Sequence, residues 1–169
     1  MTSKNKHAAV VTLVLLTTFL LPSIAEAQDE RTSQKYLFGA VGTWRGVDSP
    51  QMGGGFGYER IFRSGLGVGL EGEGFWGSGY GGGIGSANAS YHFQRLTSSR
   101  GIVPFGTFGV SAVGACGGSC LGFSGFNFGG GSTFWFTPDR GLRLEFRDHV
   151  LYNGGDSSQK MEMRFGFSF

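Results

Sequence analysis

Apolar and polar residues alternate one by one over long stretches of this chain. Between Leu66 and Trp76, Leu66, Val68, Leu70 and Trp76 share one parity, and Glu71 and Glu73 take the other. Between Gly141 and Leu151, Leu142, Leu144 and Phe146 oppose Arg143, Glu145, Arg147 and His149. The segment Lys160–Phe169 sets Met161, Met163, Phe165, Phe167 and Phe169 against Glu162, Arg164, Gly166 and Ser168. Successive side chains of an extended strand point to opposite faces, so each segment predicts a strand with one greasy and one polar face.

The same reading predicts eight strands: Lys35–Arg45, Met52–Phe62, Leu66–Trp76, Gly82–Phe93, Ile102–Val113, Phe123–Phe136, Gly141–Leu151 and Lys160–Phe169. In the second, Phe56 and Tyr58 oppose Glu59. In the fourth, Ala87, Ala89, Tyr91 and Phe93 oppose Ser86, Asn88, Ser90 and His92. The first, fifth and sixth carry apolar residues on both faces. Pro104 fits a strand start or a bulge, since it cannot donate to a ladder. Arg63-Ser64-Gly65 and Thr137-Pro-Asp-Arg-Gly141 are turn signals, and Gly114–Leu121 is a loop holding both cysteines.

Strands joined by short connections pair as antiparallel hairpins. Eight of them can close into a barrel without an edge, which a hydrocarbon environment demands. Segments of about ten residues with this alternation are the pattern of a transmembrane barrel with lipid outside and a polar lumen. The predicted fold is all-β, an eight-stranded antiparallel up-and-down transmembrane β-barrel over residues 35–169. An even count puts both termini on one side, the periplasm in a bacterial outer membrane. Connections near Ser64, Ser98 and Pro138 would join them there. Loops near Ser49, Ser78, Gly118 and Gly155 would face outward.

The N-terminus changes the picture by adding export. Lys4, Lys6 and His7 precede an apolar run from Ala8 to Leu21, and Ala25-Glu26-Ala27 is a small-x-small cleavage pattern. That is a secretory signal peptide over 1–27, with a short segment 28–34 before the barrel. A spanning helix needs about 20 apolar residues. Composition agrees with a narrow barrel. There are 33 Gly and 17 Phe in 169 residues, against about 7 % Gly in average proteins. Glycine disfavours helices, and the many Phe, Leu and Val disfavour disorder. Fourteen Lys and Arg nearly balance twelve Asp and Glu, so no basic patch points to nucleic acid.

In these features the chain resembles the small eight-stranded bacterial outer-membrane barrels of the OmpA transmembrane-domain and OmpX types. The resemblance covers Lys35–Phe169. The ending Met161-x-Met163-x-Phe165-x-Phe167-x-Phe169 is similar to the assembly signal such barrels present to their insertion machinery, although Arg164 stands where the pattern often has Gly. The stretch Asn127–Gly131 through Trp135-Phe136, then Gly141–Arg147, is similar to the last hairpin of many bacterial barrels. The resemblance implies a Gram-negative outer-membrane location, a monomer, and contact with membrane lipids and the insertion machinery, with Phe165, Phe167 and Phe169 as assembly signal.

Candidate chemistry sits mostly on the polar parity. Glu71, Glu73, Arg143, Glu145, Arg147, Glu162 and Arg164 lie mid-strand, and strand three meets strands seven and eight only across the lumen. Such charges either line a pore or pair and fill the interior. An eight-stranded barrel is just wide enough for its own side chains, so a plug pairing Glu71 and Glu73 with Arg143, Arg147 and Arg164 is expected. Cys116 and Cys120, the only cysteines of an exported chain, are expected to form a disulfide in an outward loop.

Other motifs carry less. Some lipid-A-modifying barrels use a lipid-side Ser and His. Ser90 and His92 are two apart, but no matched acid is evident, and His92 and His149 read as lumen residues. Gly42-Thr43-Trp44 resembles the opening of lipocalins, which are polar outside and apolar within. Gly53–Gly55, Gly81–Gly83 and Gly129–Gly131 lack the Lys-Ser/Thr and helix of a phosphate loop. No cluster has metal-ligand spacing, and no cofactor is expected. The expected role is structural or surface-interacting rather than enzymatic. A narrow solute channel, a lipid-A-modifying enzyme and a soluble lipocalin-like barrel are the alternatives.

Overall fold

The computed structural model describes residues 32–47, 49–77, 79–93, 101–137 and 139–169. The expected signal peptide over 1–27 lies outside the described residues, as do Ser78, Pro138 and the connection 94–100. Eight strands follow in order: β1 Thr32–Trp44, β2 Gln51–Ile61, β3 Leu66–Gly77, β4 Tyr80–His92, β5 Ile102–Gly117, β6 Ser119–Thr137, β7 Arg140–Asn153 and β8 Asp156–Ser168. Each pairs with its sequence neighbours, and β1 pairs with β8, so the sheet is a closed barrel. All pairs are antiparallel. The last residue takes part in the closure: Phe169 N donates to Lys35 O at 2.8 Å, and Lys35 N to Phe169 O at 2.9 Å. The predicted architecture is the observed one.

Local chemistry sets the turns. Gly65 has φ +87°, the left-handed region where a side chain is strained. Its N–H bonds Phe62 O at 2.9 Å, and Phe62 N bonds Leu66 O at 2.7 Å, which reverses the chain within four residues. Several boundaries differ from expectation, two of them in ways that matter to the site. β1 begins at Thr32 rather than Lys35, so Gln34 joins the lumen wall, where its Nε2 donates to Ser168 Oγ at 2.7 Å. The expected cysteine loop over Gly114–Leu121 is instead strand: β5 and β6 stay paired up to Gly117 and Ser119 across Gly118, whose φ is +84°. Pro104 lies at the start of β5, as one of its two expected placements had it, third in the strand, and its carbonyl accepts Phe93 N–H at 2.9 Å. A register shift lies between Trp135 and Thr137 on β6.

The wall is apolar outside and largely polar within. Leu70 is 66 % exposed and Phe56 65 %, whereas Arg147 is 1 % exposed and Glu145 2 %. A soluble barrel would reverse those values. The outward-facing large apolar residues far exceed the patch that a monomer leaves to water, which removes the lipocalin reading. The glycine runs lie within this wall. A Cβ at Gly131 would stand 1.9 Å from Leu144 O, and one at Gly129 2.3 Å from Phe146 O. They allow close strand approach, with no cradle for a phosphate.

Candidate functional site

Inside the barrel the side chains stack in layers. The middle layer is charged, and five buried glutamates, Glu59, Glu71, Glu73, Glu145 and Glu162, meet four buried cations, Arg143, Arg147, Lys160 and Arg164. From β7, Arg147 Nε donates to Glu145 Oε1 at 2.6 Å, and its Nη1 reaches across the lumen to Glu71 Oε2 at 3.1 Å. From β8, Arg164 bonds Glu71 at 3.2 Å, Glu73 at 2.8 Å and Glu162 at 2.5 Å. Lys160 Nζ bonds Glu73 at 2.7 Å and also Glu162. Parity puts every one of these groups inward, and the small cross-section brings opposite walls within reach.

Arg143 departs from the expected pairing. It lies 3.5 Å from Glu59 and 3.0 Å from Glu145, not on Glu71 or Glu73. Its guanidinium also sits over the rings of Phe105 and Tyr36, 3.8 and 4.5 Å from their centroids. The reason is height: Arg143 sits nearer the terminal end of β7 than Arg147 and meets the part of β2 that carries Glu59. Glu59 and Lys160 were not among the expected network residues. Their signal is parity alone: Lys160 shares that of Glu162 and Arg164, and Glu59 opposes Phe56 and Tyr58.

Aromatic inward residues hold the carboxylates and cations in place. Tyr36 donates its hydroxyl to Glu71 Oε1 at 2.5 Å. Arg164 lies over Phe38 at 4.4 Å, and Lys160 over Phe75 at 5.3 Å, within range of a cation–π attraction. Neutral polar groups extend the layer: Asn88 Nδ2 donates to Glu71 Oε2 at 2.8 Å, and Arg147 Nη1 to Asn127 Oδ1 at 2.8 Å. Burying a charge is tolerable only where it is paired and hydrogen-bonded, and here each cation touches at least two carboxylates.

Toward the terminal end, Ser90, His92 and Glu59 form a cluster. Both Ser90 Oγ and His92 Nε2 bond Glu59 Oε1, the latter at 3.1 Å. The acid that sequence reading did not find is therefore Glu59, from another strand. All three are buried in the lumen, away from the lipid side, and serine and histidine converge on the carboxylate rather than on each other. His149 lies 3.5 Å from Glu162 and accepts or donates with Ser111 at 3.1 Å. No group of three or more potential metal ligands occurs among the described residues.

Toward the loop end the lumen turns apolar. Trp44, Phe75, Ile84, Val113 and Leu151 pack together, with Val47, Tyr80, Ala115 and Phe123 against them. Sequence reading missed this layer, because apolar residues of inward parity look like poor alternation. Cys116 and Cys120 face each other across the tip of the β5–β6 hairpin and are joined, with α-carbons 4.1 Å apart. Phe165, Phe167 and Phe169 all point outward. Phe167 packs on Phe136 at 6.1 Å and on Phe169 at 6.2 Å.

No protein-family model matches the sequence, and no curated protein does. Solved structures do. Neisserial surface protein A superposes with a TM-score of 0.64 at 13 % identity, over 83 % of this chain and 98 % of that one. The chain has the fold of the small eight-stranded outer-membrane barrels. The N-terminal β-barrel domain of Pseudomonas aeruginosa OprF gives a TM-score of 0.57 at 17 % identity, covering 83 % and 100 %. The outer membrane enzyme PagL gives 0.57 at 16 % identity, covering 78 % and 97 %. An enzyme among these neighbours means that this one architecture carries more than one kind of work.

Proposed function

We propose that this protein is a monomeric, non-enzymatic barrel of a Gram-negative outer membrane. It spans the membrane as a closed wall and presents short loops outward, and its lumen is filled rather than open. The observation that supports this most directly is the inversion of polarity, with an exposed apolar belt outside and a belt of buried ion pairs inside. The fold neighbours are consistent with the location. The aromatic ending, with Phe165, Phe167 and Phe169 on the outer wall, is the segment for the insertion machinery to read. The placement of Ser90, His92 and Glu59 inside the lumen argues against a lipid-side, lipid-A-modifying enzyme.

Separation of membranes from cells expressing the full chain tests this reading. The barrel is expected in the outer-membrane fraction, with the N-terminus of the mature protein near Gln28 and with lipid A unchanged. Recovery from the soluble periplasm would overturn the location. Altered lipid A would favour the enzyme.

A further inference from the structure

The loop end of the lumen holds a cavity of about 290 Å³ that opens between the hairpin tips. It lies above the apolar layer, so its floor is closed. Trp44 packs there against Phe75 and Phe123 with tilted rings, their centroids 5.7 and 5.8 Å apart. Its walls include Val47, Tyr80, Leu121 and Phe123, and one side is stiffened by the Cys116–Cys120 bridge. Its volume is at the small end of ligand pockets, roughly 300–1,000 Å³, and its character is theirs: mostly apolar and aromatic with few polar groups.

One charged residue, Arg45, is among those lining it. The five buried lumen glutamates bond the cations and histidines below, and none lines the cup. Arg45 itself is exposed and has no ion pair among the described residues. A planar aromatic body would satisfy the walls, and a carboxylate or sulfonate would satisfy the guanidinium through charge-assisted hydrogen bonds. We propose that this cup is a binding site for a small aromatic anion, held at the outer mouth and stopped from passing by the Trp44–Phe75–Leu151 layer beneath it. The inference rests on the membrane reading only in naming this end as outward.

Calorimetric titration of the barrel, refolded in detergent, with 2-naphthoate tests the cup, using detergent alone as blank. Its neutral isostere 2-naphthamide is the comparison ligand. Saturable one-site binding is expected, with the acid about tenfold tighter than the amide, the ratio worth about 1.4 kcal/mol. Arg45→Gln should abolish that preference and leave the barrel folded, because its side chain is exposed. Val47→Trp should fill the cup and remove binding of both ligands. Absence of saturable heat above the blank would overturn the proposal. So would an unchanged preference for the acid in Arg45→Gln, or retained binding in a folded Val47→Trp barrel. These results do not depend on where cells place the protein, so this inference and the location reading can fail separately.

Discussion

At the scale of single residues, the lumen is built from what glycine leaves out as much as from the charges. Tyr36 occupies the space where β2 has no side chain: a Cβ at Gly57 would lie 2.2 Å from its ring. That placement lets the Tyr36 hydroxyl reach Glu71, the acid shared by Arg147 and Arg164. Gly57→Ala should therefore displace the ring and lower stability by about 1–3 kcal/mol, the usual penalty of overpacking. Tyr36→Phe should lose about 1.5–3 kcal/mol, as a hydrogen bond to a charged group is removed. Both act on one bond, so their effects should not add. Urea unfolding of the refolded barrel in vesicles measures the two single variants and the double variant. Additivity to within about 0.5 kcal/mol would mean that Gly57 serves some other purpose.

At the scale of the element, a strand here is a two-sided object whose faces meet different surroundings. Leu144 and Glu145 are adjacent on β7, one outward and one 2 % exposed. Leu144→Arg puts a charge on the outer wall, worth about 2–4 kcal/mol near a bilayer midplane. The folded barrel in outer membranes should fall sharply, while Leu144→Phe should assemble normally; equal yields would mean that this wall does not meet lipid. The same two-sidedness explains what was legible in the sequence. In β3, β7 and β8 the faces are chemically opposite, so parity alone assigns Glu71, Arg147 and Arg164 to the interior. β5 resisted because Phe105 and Val113 point inward beside outward Phe108 and Val110, and alternation of apolar with apolar leaves no signal. Partner choice, such as Arg143 with Glu59, depends on register and height, which no single strand encodes. The cysteines illustrate a further limit: glycine-rich sequence reads as loop, yet hairpin pairing carries Cys116 and Cys120 into direct opposition. Mass analysis of the mature, non-reduced protein should find no alkylatable thiol, and two free thiols in native protein would refute the bridge.

At the scale of the whole molecule, the interior has two barriers in series. The first is the ion-pair belt, where side chains from β2, β3, β7 and β8 meet across a barrel too narrow for both them and a water column. The second is the apolar layer of Trp44, Phe75, Ile84, Val113 and Leu151 at the loop end, which gives an entering ion few polar partners. The unmodified barrel in a planar bilayer should therefore show no steady large conductance, and a stable ion-selective current would sink the plug. The two barriers should also separate on mutation. Glu71→Gln with Glu73→Gln strips carboxylates from Arg147, Arg164 and Lys160 together. Breaking a buried pair from one side is worth about 3–5 kcal/mol, so the double variant should unfold at markedly lower urea. It should still conduct poorly, because the apolar layer is intact. Adding Phe75→Ala and Leu151→Ala should open a leak in whatever fraction folds. A leak from the glutamate pair alone would assign the seal to the charged belt, and a leak from the apolar pair alone would assign it to the mouth.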